Sequence, residues 1–390
     1  MNIQAKNAKA SPVWLTKDSG DFETFRQIVL QQTDPAQTPH ASEVISNIPI
    51  YEGALVDKAA VDPAKRASLT QEWANVFANG AGVIVIRQGL ADHAVIDRAS
   101  AVFEDIIAEE KRAAKGGGDH FAKPGANDRI WNSLEKHCLA DPANFAAYYS
   151  SHGIALAAEA WLGPNSQMTA QVNRVNPGGA AQTPHRDYHL GFMSASQMAR
   201  YPAHIHAVSP VLTLQGAVAH CDMPVETGPT MLLPFSQQFF EGYLAFSRPE
   251  FQAWFADHYV QLPLSKGDLV FFNPALMHGA GTNHTTDRYR MVNLLQVSSA
   301  FGRAMETVNR TRMLQALYPV LSSAIGLNVE NVIAASAEGY PFPTNLDSNP
   351  PVGGMAPKTQ ADFLREALAT KQSVADFHAA LAALDAKNQS

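Results

Sequence analysis

The texture of this sequence changes at about residue 167, and that change limits what the chain can fold into. Upstream, apolar residues recur at helical spacing. From 167 onward they come as short β-type runs at 167–175, 211–220, 229–233, 259–264, 268–273 and 289–298, with turn residues between them. Helical patterns return at 304–318 and 359–384, joined by a Pro/Gly-rich stretch over 341–356. Helices, then strands, then helices do not build an alternating parallel sheet. The order predicts a mainly β fold, a sandwich or barrel, with supporting α-helices. No GxGxxG or Walker-type loop is present, and Gly116-Gly117-Gly118 follows no strand, so it reads as a helix breaker.

Before the strand-rich centre, Ser68 or Thr70 can cap a helix through Trp73 and Phe77 that ends at Gly80. Residues 82–87 read as a buried strand. A helix over 91–114 carries Val95, Ile96, Ala99, Phe103, Ile106 and Ile107 on one stripe. Asp141-Pro142 starts another that stops at Gly163-Pro164. We divide the chain into an N-terminal arm (1–66), a central domain with its N-terminal supporting helices (67–300), and a C-terminal helical extension packed on that same domain (301–390). Arm and extension are candidates for a pocket lid or a homodimer contact.

Composition narrows the partners. Of 390 residues, 46% are hydrophobic and only 17% charged, which excludes disorder as a description of the whole chain. The net charge is −7 and no Lys/Arg run occurs, so a nucleic-acid partner is not expected. Apolar runs such as Val83–Ile86 are too short to span a bilayer, and no membrane partner is expected. Two distant cysteines, Cys138 and Cys221, and an N-terminus without an apolar h-region fit a cytoplasmic protein. The 14 histidines carry more information, because His is both the commonest metal ligand and the commonest acid/base group.

One cluster concentrates them: Thr183-Pro184-His185-Arg186-Asp187-Tyr188-His189. On an extended segment, residues i and i+2 share a side, so His185 and Asp187 can meet at one point. Downstream, Gly267-Asp268 turns into an apolar strand, followed by Met277-His278-Gly279-Ala280-Gly281 and then by Arg288-Tyr289-Arg290 ahead of another strand. Two His and one carboxylate on one face of a metal leave three positions open, the arrangement of non-haem Fe(II) oxygenases. An arginine on the following strand adds a fork for a carboxylate, which a 2-oxoglutarate co-substrate requires.

This ordered set resembles the phytanoyl-CoA dioxygenase family of Fe(II)/2-oxoglutarate oxygenases over roughly 80–300. The resemblance includes Thr227-Gly228-Pro229-Thr230-Met231-Leu232-Leu233-Pro234, the Gly267-Asp268 turn, and His278-Gly279 with Asn283 and a trailing Arg. It implies a double-stranded β-helix (jelly-roll, cupin-like) barrel, with iron held at one end by His185, Asp187 and His278. It also implies that 2-oxoglutarate is anchored by Arg290, with Arg288 as the alternative, because the register shifts by one residue near Thr285-Thr286. Departures are Ala280 where the family often has Ser, Arg186 where it often has Gln, and Phe235-Ser236-Gln237-Gln238 in place of Gly-Ser-His. The carboxylate of Asp187 separates this chain from halogenating relatives, which carry a small residue there.

The implied function is an Fe(II)/2-oxoglutarate dioxygenase that consumes O2, releases succinate and CO2, and hydroxylates a small molecule. Neutral imidazoles and an ionised Asp187 are required, so iron affinity should fall as pH drops toward ~6. Further assignments are Gln171 near the cofactor, and Arg186, Tyr188, His189 and Asn173 near substrate. Phe192, Met231 and Met277 are candidates for the pocket wall. Trp73, Trp131, Trp161 and Trp254 read as packing residues. His204-Ile205-His206 lacks an evident third ligand, and His220-Cys221 reads as core or as support for the site. Two other readings stay open: a catalytically silent barrel that binds a ligand, and a metal-dependent hydrolase.

Overall fold

The computed structural model describes residues 13–113 and 125–388; the Gly116–Gly118 break and the first twelve residues lie outside them. Among the described residues there are ten strands: β1 (Glu43–Ile45), β2 (Ile48–Glu52), β3 (Val83–Arg87), β4 (Asn127–Ile130), β5 (Gln167–Val175), β6 (Thr213–Ala219), β7 (Thr230–Leu233), β8 (Leu269–Phe272), β9 (Met277–Ala280) and β10 (Arg290–Ser298). Eight form one mixed sheet in the order β1-β2-β3-β8-β6-β10-β5-β4, with only β2 and β3 parallel. β7 and β9 form a second, short sheet. Single bridges extend it on both sides, from His185 to His278 on β9 and from Val260 to Leu232 on β7. The large sheet is not hydrogen-bonded into a closed ring. The run 259–264 makes only bridges, through Val260 and Leu264.

The period-2 alternation of the strands separates two environments. Ile84 and Ile86 of β3, Met168, Ala170 and Val172 of β5, Leu214 and Val218 of β6, Leu269 and Phe271 of β8, and Met291, Leu295 and Val297 of β10 pack under the helices. Their neighbours along each strand point the other way, toward the short sheet. The helical layer brings Trp73, Phe77, Phe103 and Phe145, all fully buried, and the same core reaches Leu314, Tyr318 and Phe377 near the C-terminus. Truncating one such aromatic to Ala costs about 3–5 kcal/mol.

Helix starts follow capping chemistry. Asp62 accepts hydrogen bonds from the amides of Ala64 and Lys65 ahead of Pro63, so the first long helix runs Pro63–Asn79, earlier than a Ser68 or Thr70 cap would begin it. The hydroxyl of Thr70 instead bonds back to the carbonyl of Arg66. Ser151 divides the stretch after Asp141 into Pro142–Tyr149 and His152–Leu162. Lys371, in the left-handed region at φ 53°, divides the C-terminal stretch into Gln360–Thr370 and Val374–Asn388. The segment read as an extended arm supplies β1 and β2. Ile48, Ile50 and Tyr51 are buried there because β2 lies beside β3 within the sheet.

Candidate metal centre and cavity

The strand geometry assembles the site. His185 pairs with His278 across an antiparallel bridge, with His185 N–H to His278 O at 2.8 Å and His278 N–H to His185 O at 3.0 Å. This brings the two imidazoles side by side, ring centroids 4.6 Å apart. Asp187, two residues along, shares their side. His185 Nε2 lies 3.5 Å from Asp187 Oδ1, and His278 Nε2 lies 3.7 Å from Oδ2. One ligand atom from each of the three falls within 4.8 Å of the others, and no other such group of His, Cys, Asp or Glu occurs among the described residues. The pair His204 and His206 therefore gains no third ligand.

The backbone sets the tautomers. Nδ1 of His185 is 2.8 Å from the carbonyl of Thr183, and Nδ1 of His278 is 2.8 Å from that of Leu276. A carbonyl only accepts, so each Nδ1 carries the proton and each Nε2 presents its lone pair toward Asp187. Burial alone would raise the Asp187 carboxyl. With a second proton on each ring's Nε2, the bond to His278, the charges of both imidazoliums and a bond from Gln215 outweigh burial and hold it down to about 2. Gln215 Nε2 donates to Oδ2, while Oδ1 is buried with no hydrogen bond. An ionised carboxylate with an unsatisfied buried oxygen beside two aimed imidazole nitrogens fits a divalent cation of the iron type.

The centre opens into a cavity of about 350 Å³ between the two sheets. Its wall includes the pocket-facing residues of the large sheet: Val85, Thr213, Gln215, Ala217, Ala219, Val270 and Phe272, with Arg290, Val292, Leu294, Gln296 and Ser298 from β10. Arg290 is buried on this wall. Its Nη1 donates to the carbonyl of Thr227 at 3.1 Å, its Nε has no partner, and burial lowers its pKa to about 10, still charged near neutrality. Arg288 is exposed and lies in a separate shallow hollow.

Other expected site residues divide. Tyr188, His189, Asn173 and Phe192 line the cavity. His189 Nδ1 is held 2.9 Å from the Thr213 hydroxyl, and Asn173 Oδ1 accepts from Asn127 at 2.7 Å. Arg186 does not line it. Sitting between the two expected ligands, it points to the opposite side and is buried, donating to the carbonyls of Phe239 and Ser236, with its guanidinium over the Tyr243 ring. A substrate contact for Arg186 is corrected on that ground. Gln171 is also off the wall: Oε1 accepts from Arg129 and Nε2 donates to Glu306, so its amide is committed to neighbouring side chains rather than to a cofactor. Met231 and Met277 pack with Phe25, Phe239 and Phe251. His220 is core, bonded to Ser100 and Tyr148.

Several wall residues carry no assignment to the cavity in the sequence reading, among them Gln215, Arg129, Trp131, Arg303 and Met305. Gln215 sits mid-strand on the face of Thr213 and Ala217, and a polar amide amid small residues there was the available signal. Trp131, assigned to packing, lines the cavity, with Arg129 stacked 4.7 Å over its ring. Arg303 and Met305 follow β10 in irregular chain and carry no motif.

No helix among the described residues is long and apolar enough to cross a membrane. No curated protein matches the sequence. Among solved structures, the non-heme alpha ketoglutarate dependent epimerase SnoN from nogalamycin biosynthesis is 21% identical, covering 61% of this chain and 82% of its own at a TM-score of 0.41. The carbocyclase SnoK of the same biosynthesis is 19% identical, covering 60% and 86% at 0.43. AviO1 from Streptomyces viridochromogenes Tue57 is 20% identical, covering 61% and 97% at 0.43. The sequence itself matches the phytanoyl-CoA dioxygenase (PhyH) family over residues 51–292, more than half its length and the stretch that carries the whole His-Asp-His centre. The chain belongs to the phytanoyl-CoA dioxygenase family of non-haem iron, 2-oxoglutarate-dependent enzymes.

Proposed function

We propose that the protein oxidises a small-molecule substrate, with hydroxylation as the outcome, and that His185, Asp187 and His278 hold the iron. The observation that carries this reading is the convergence of two aimed imidazole nitrogens and the unsatisfied Asp187 Oδ1 on one point of the cavity wall. When bound, iron supplies the activation of O2, coupled to conversion of 2-oxoglutarate to succinate and CO2. The protein's own part is placement. Gln215 fixes one oxygen of Asp187, and the carbonyls of Thr183 and Leu276 fix the ring orientations. Arg290, buried with an unpartnered Nε, is the candidate fork for the far carboxylate of 2-oxoglutarate. The apolar wall of Val85, Val270, Phe272 and Val292 keeps water from the reacting centre.

The same reading takes the two facing sheets as the halves of a double-stranded β-helix. Their order supports it, since the short sheet runs from the His185 segment through β9 and β7 to Val260. A cytoplasmic setting belongs to this proposal too, supported by the free thiols of Cys138 and Cys221.

The test is spectroscopic. Anaerobic addition of Fe(II) and 2-oxoglutarate to the folded protein should give a weak visible charge-transfer band, and His185→Ala should lose it. No band from folded wild type would sink the oxygenase reading in favour of a ligand-binding protein or a hydrolase.

A further inference from the structure

The cavity wall carries a polar row that begins beside the metal centre. Gln215 on β6 and Gln296 on β10 are direct cross-strand partners, and both line the cavity. Directly opposed residues hold their Cβ atoms about 4.5–5.5 Å apart on one face of a sheet. On its other side Gln215 opposes Phe272 of β8, whose ring lies 4.8 Å from that of His278. The row therefore leads from the metal ligands outward to Gln296. The neighbouring pair on one side is Thr213 with Ser298, and on the other side Ala217 with Leu294, all on the wall. Arg290 lies six residues back along β10, about 20 Å away at ~3.3 Å per residue, so the row is no part of its carboxylate fork.

The charge of Asp187 fixes the direction of this row. A carboxylate only accepts, so Gln215 must turn Nε2 to it, and Oε1 of Gln215 is left pointing elsewhere. Gln215 is 5% exposed, and that Oε1 is buried with no hydrogen-bond partner. A buried acceptor without a donor is costly. Gln296 is the amide directly across the strand pair. It is half-buried, and among the described residues its side chain makes no hydrogen bond, nor does the hydroxyl of Ser298. Thr213 differs, because its hydroxyl is spent on His189 Nδ1 at 2.9 Å. The unspent polar groups of this part of the wall are thus one amide and one hydroxyl, both uncharged.

We propose that Asp187, Gln215 and Gln296 act as a polarised chain that selects a substrate bearing an uncharged hydrogen-bond donor, a hydroxyl or an amide N–H. In the occupied site Gln296 turns Nε2 to the orphaned Oε1 of Gln215, and its own Oε1 then faces the cavity. Each step is dictated by the one before: Asp187 accepts from Gln215, Gln215 from Gln296, and Gln296 from the substrate. Ser298, two residues on and on the same face, offers its hydroxyl to the acceptor end of the same group. A carboxylate brings acceptors alone, so it meets the Gln296 oxygen without a proton between them and loses solvation for nothing. The apolar body of the substrate lies over Ala217 and Leu294. Gln296 is therefore a specificity-determining residue, and the proposal rests on the oxygenase reading above for what happens to the substrate once held.

The experiment measures dissociation constants by anaerobic equilibrium dialysis against the Fe(II)- and 2-oxoglutarate-loaded protein. Four probes share one body: 3-phenylpropanamide, 3-phenylpropan-1-ol, 3-phenylpropanoate and propylbenzene. Wild type should bind the amide or the alcohol at least about tenfold tighter than the acid, as expected where a buried acceptor needs a donor. The tighter of those two identifies the group. Gln296→Met keeps the bulk of the side chain and removes its hydrogen bonds. It should weaken that probe about tenfold and shift propylbenzene by less than about twofold, and Ser298→Ala should weaken the same probe about threefold. Neither substitution removes a hydrogen bond present in the structure, so melting temperatures should stay unchanged. Acid binding as tight as amide and alcohol, no binding of either donor, or a Gln296→Met effect that is absent or equal for all four probes would each overturn the proposal. So would a loss of 2-oxoglutarate affinity in Gln296→Met in place of the probe effect, because the row would then serve the co-substrate. The charge-transfer band is recorded on the same samples. A missing band with the donor preference retained would defeat the oxygenase reading and leave the donor site standing, and a normal band without the preference would do the reverse.

Discussion

Lowering the pH from 7.5 to 5.5 should destabilise this protein through two buried histidines remote from the metal centre. His137 and His220 lie in an aromatic box with Phe103, Phe145, Tyr148 and Tyr149. His220 is fully used as a neutral ring: Nδ1 bonds Ser100, whose hydroxyl is committed to the Ile96 carbonyl, and Nε2 lies 2.8 Å from the Tyr148 hydroxyl. His137 Nε2 bonds Asn144 Oδ1 at 2.8 Å, while its Nδ1 has no acceptor for a second proton. Burial pushes His137 down to about 4 and His220 down to about 3. Unfolded, both titrate near ~6.5. Below that value the unfolded chain binds two protons that the folded chain refuses, so the stabilisation is complete above pH 6.5 and is lost as pH falls through it. At pH 5.5 each ring costs about 1.4 kcal/mol, together about 3 kcal/mol, a large share of a typical stability of about 5–15 kcal/mol. Urea unfolding followed by circular dichroism at pH 7.5, 6.5 and 5.5 measures the slope. The doubly substituted protein, His137→Gln with His220→Gln, should lose most of that slope even though its stability at pH 7.5 is lower. An equal slope in wild type and the double variant would refute the assignment to these two rings.

Three further outcomes follow from the cavity and from the buried side chain behind the His185–Asp187 segment. Arg290→Ala should weaken 2-oxoglutarate binding by about 2–4 kcal/mol, ~30- to 1000-fold, because it removes a buried charge partner, whereas Arg288→Ala should leave it unchanged; isothermal titration of the metal-loaded protein compares them. Gln215→Ala removes the bond that orients Asp187 and should cost about 10–100-fold in metal affinity with the fold intact, read by competition with a chelating dye. Gly242→Ala places a Cβ 1.7 Å from Arg186 Nη1, so it must displace the side chain that ties the segment between His185 and Asp187 to the 236–239 loop. A drop of several degrees in melting temperature should accompany weaker metal binding, and an unaltered melting temperature would contradict that tie.

The convergence of His185, Asp187 and His278 into a candidate metal centre is legible in the sequence because two local rules suffice. The i, i+2 rule put His185 and Asp187 on one side, and the strand after Gly267-Asp268 delivered His278. The same rule, carried one residue further, places Arg186 on the far side, where it is found. What escaped was long-range. Gln215 and Arg129 face the cavity because β6 pairs with β8 and β10 and β4 pairs with β5, and Trp131 follows β4 directly; no local pattern states those pairings. Residues 43–52 looked like an arm because β1 is three residues long and β2 carries a proline. Their place in the sheet depends on β3, more than thirty residues away. Residues 299–306 have no periodicity at all, and long-range hydrogen bonds place them, from Ser299 to Leu212, Gln167 to Gly302 and Asn132 to Glu306.

The two faces of β10 also bear on how readily such a chain can acquire a new substrate. Met291, Leu295 and Val297 serve the helical core, and Asn293 bonds the hydroxyls of Tyr148 and Tyr149, so changes at these positions meet the cost of repacking. Val292, Leu294, Gln296 and Ser298 face an open cavity, where volume can be added or removed at much lower cost. A designer could therefore randomise those four positions together with 303 and 305 and expect most of the library to fold. The strand that closes the core doubles as an interchangeable palette for the pocket, because adjacent residues on it answer to different physical demands.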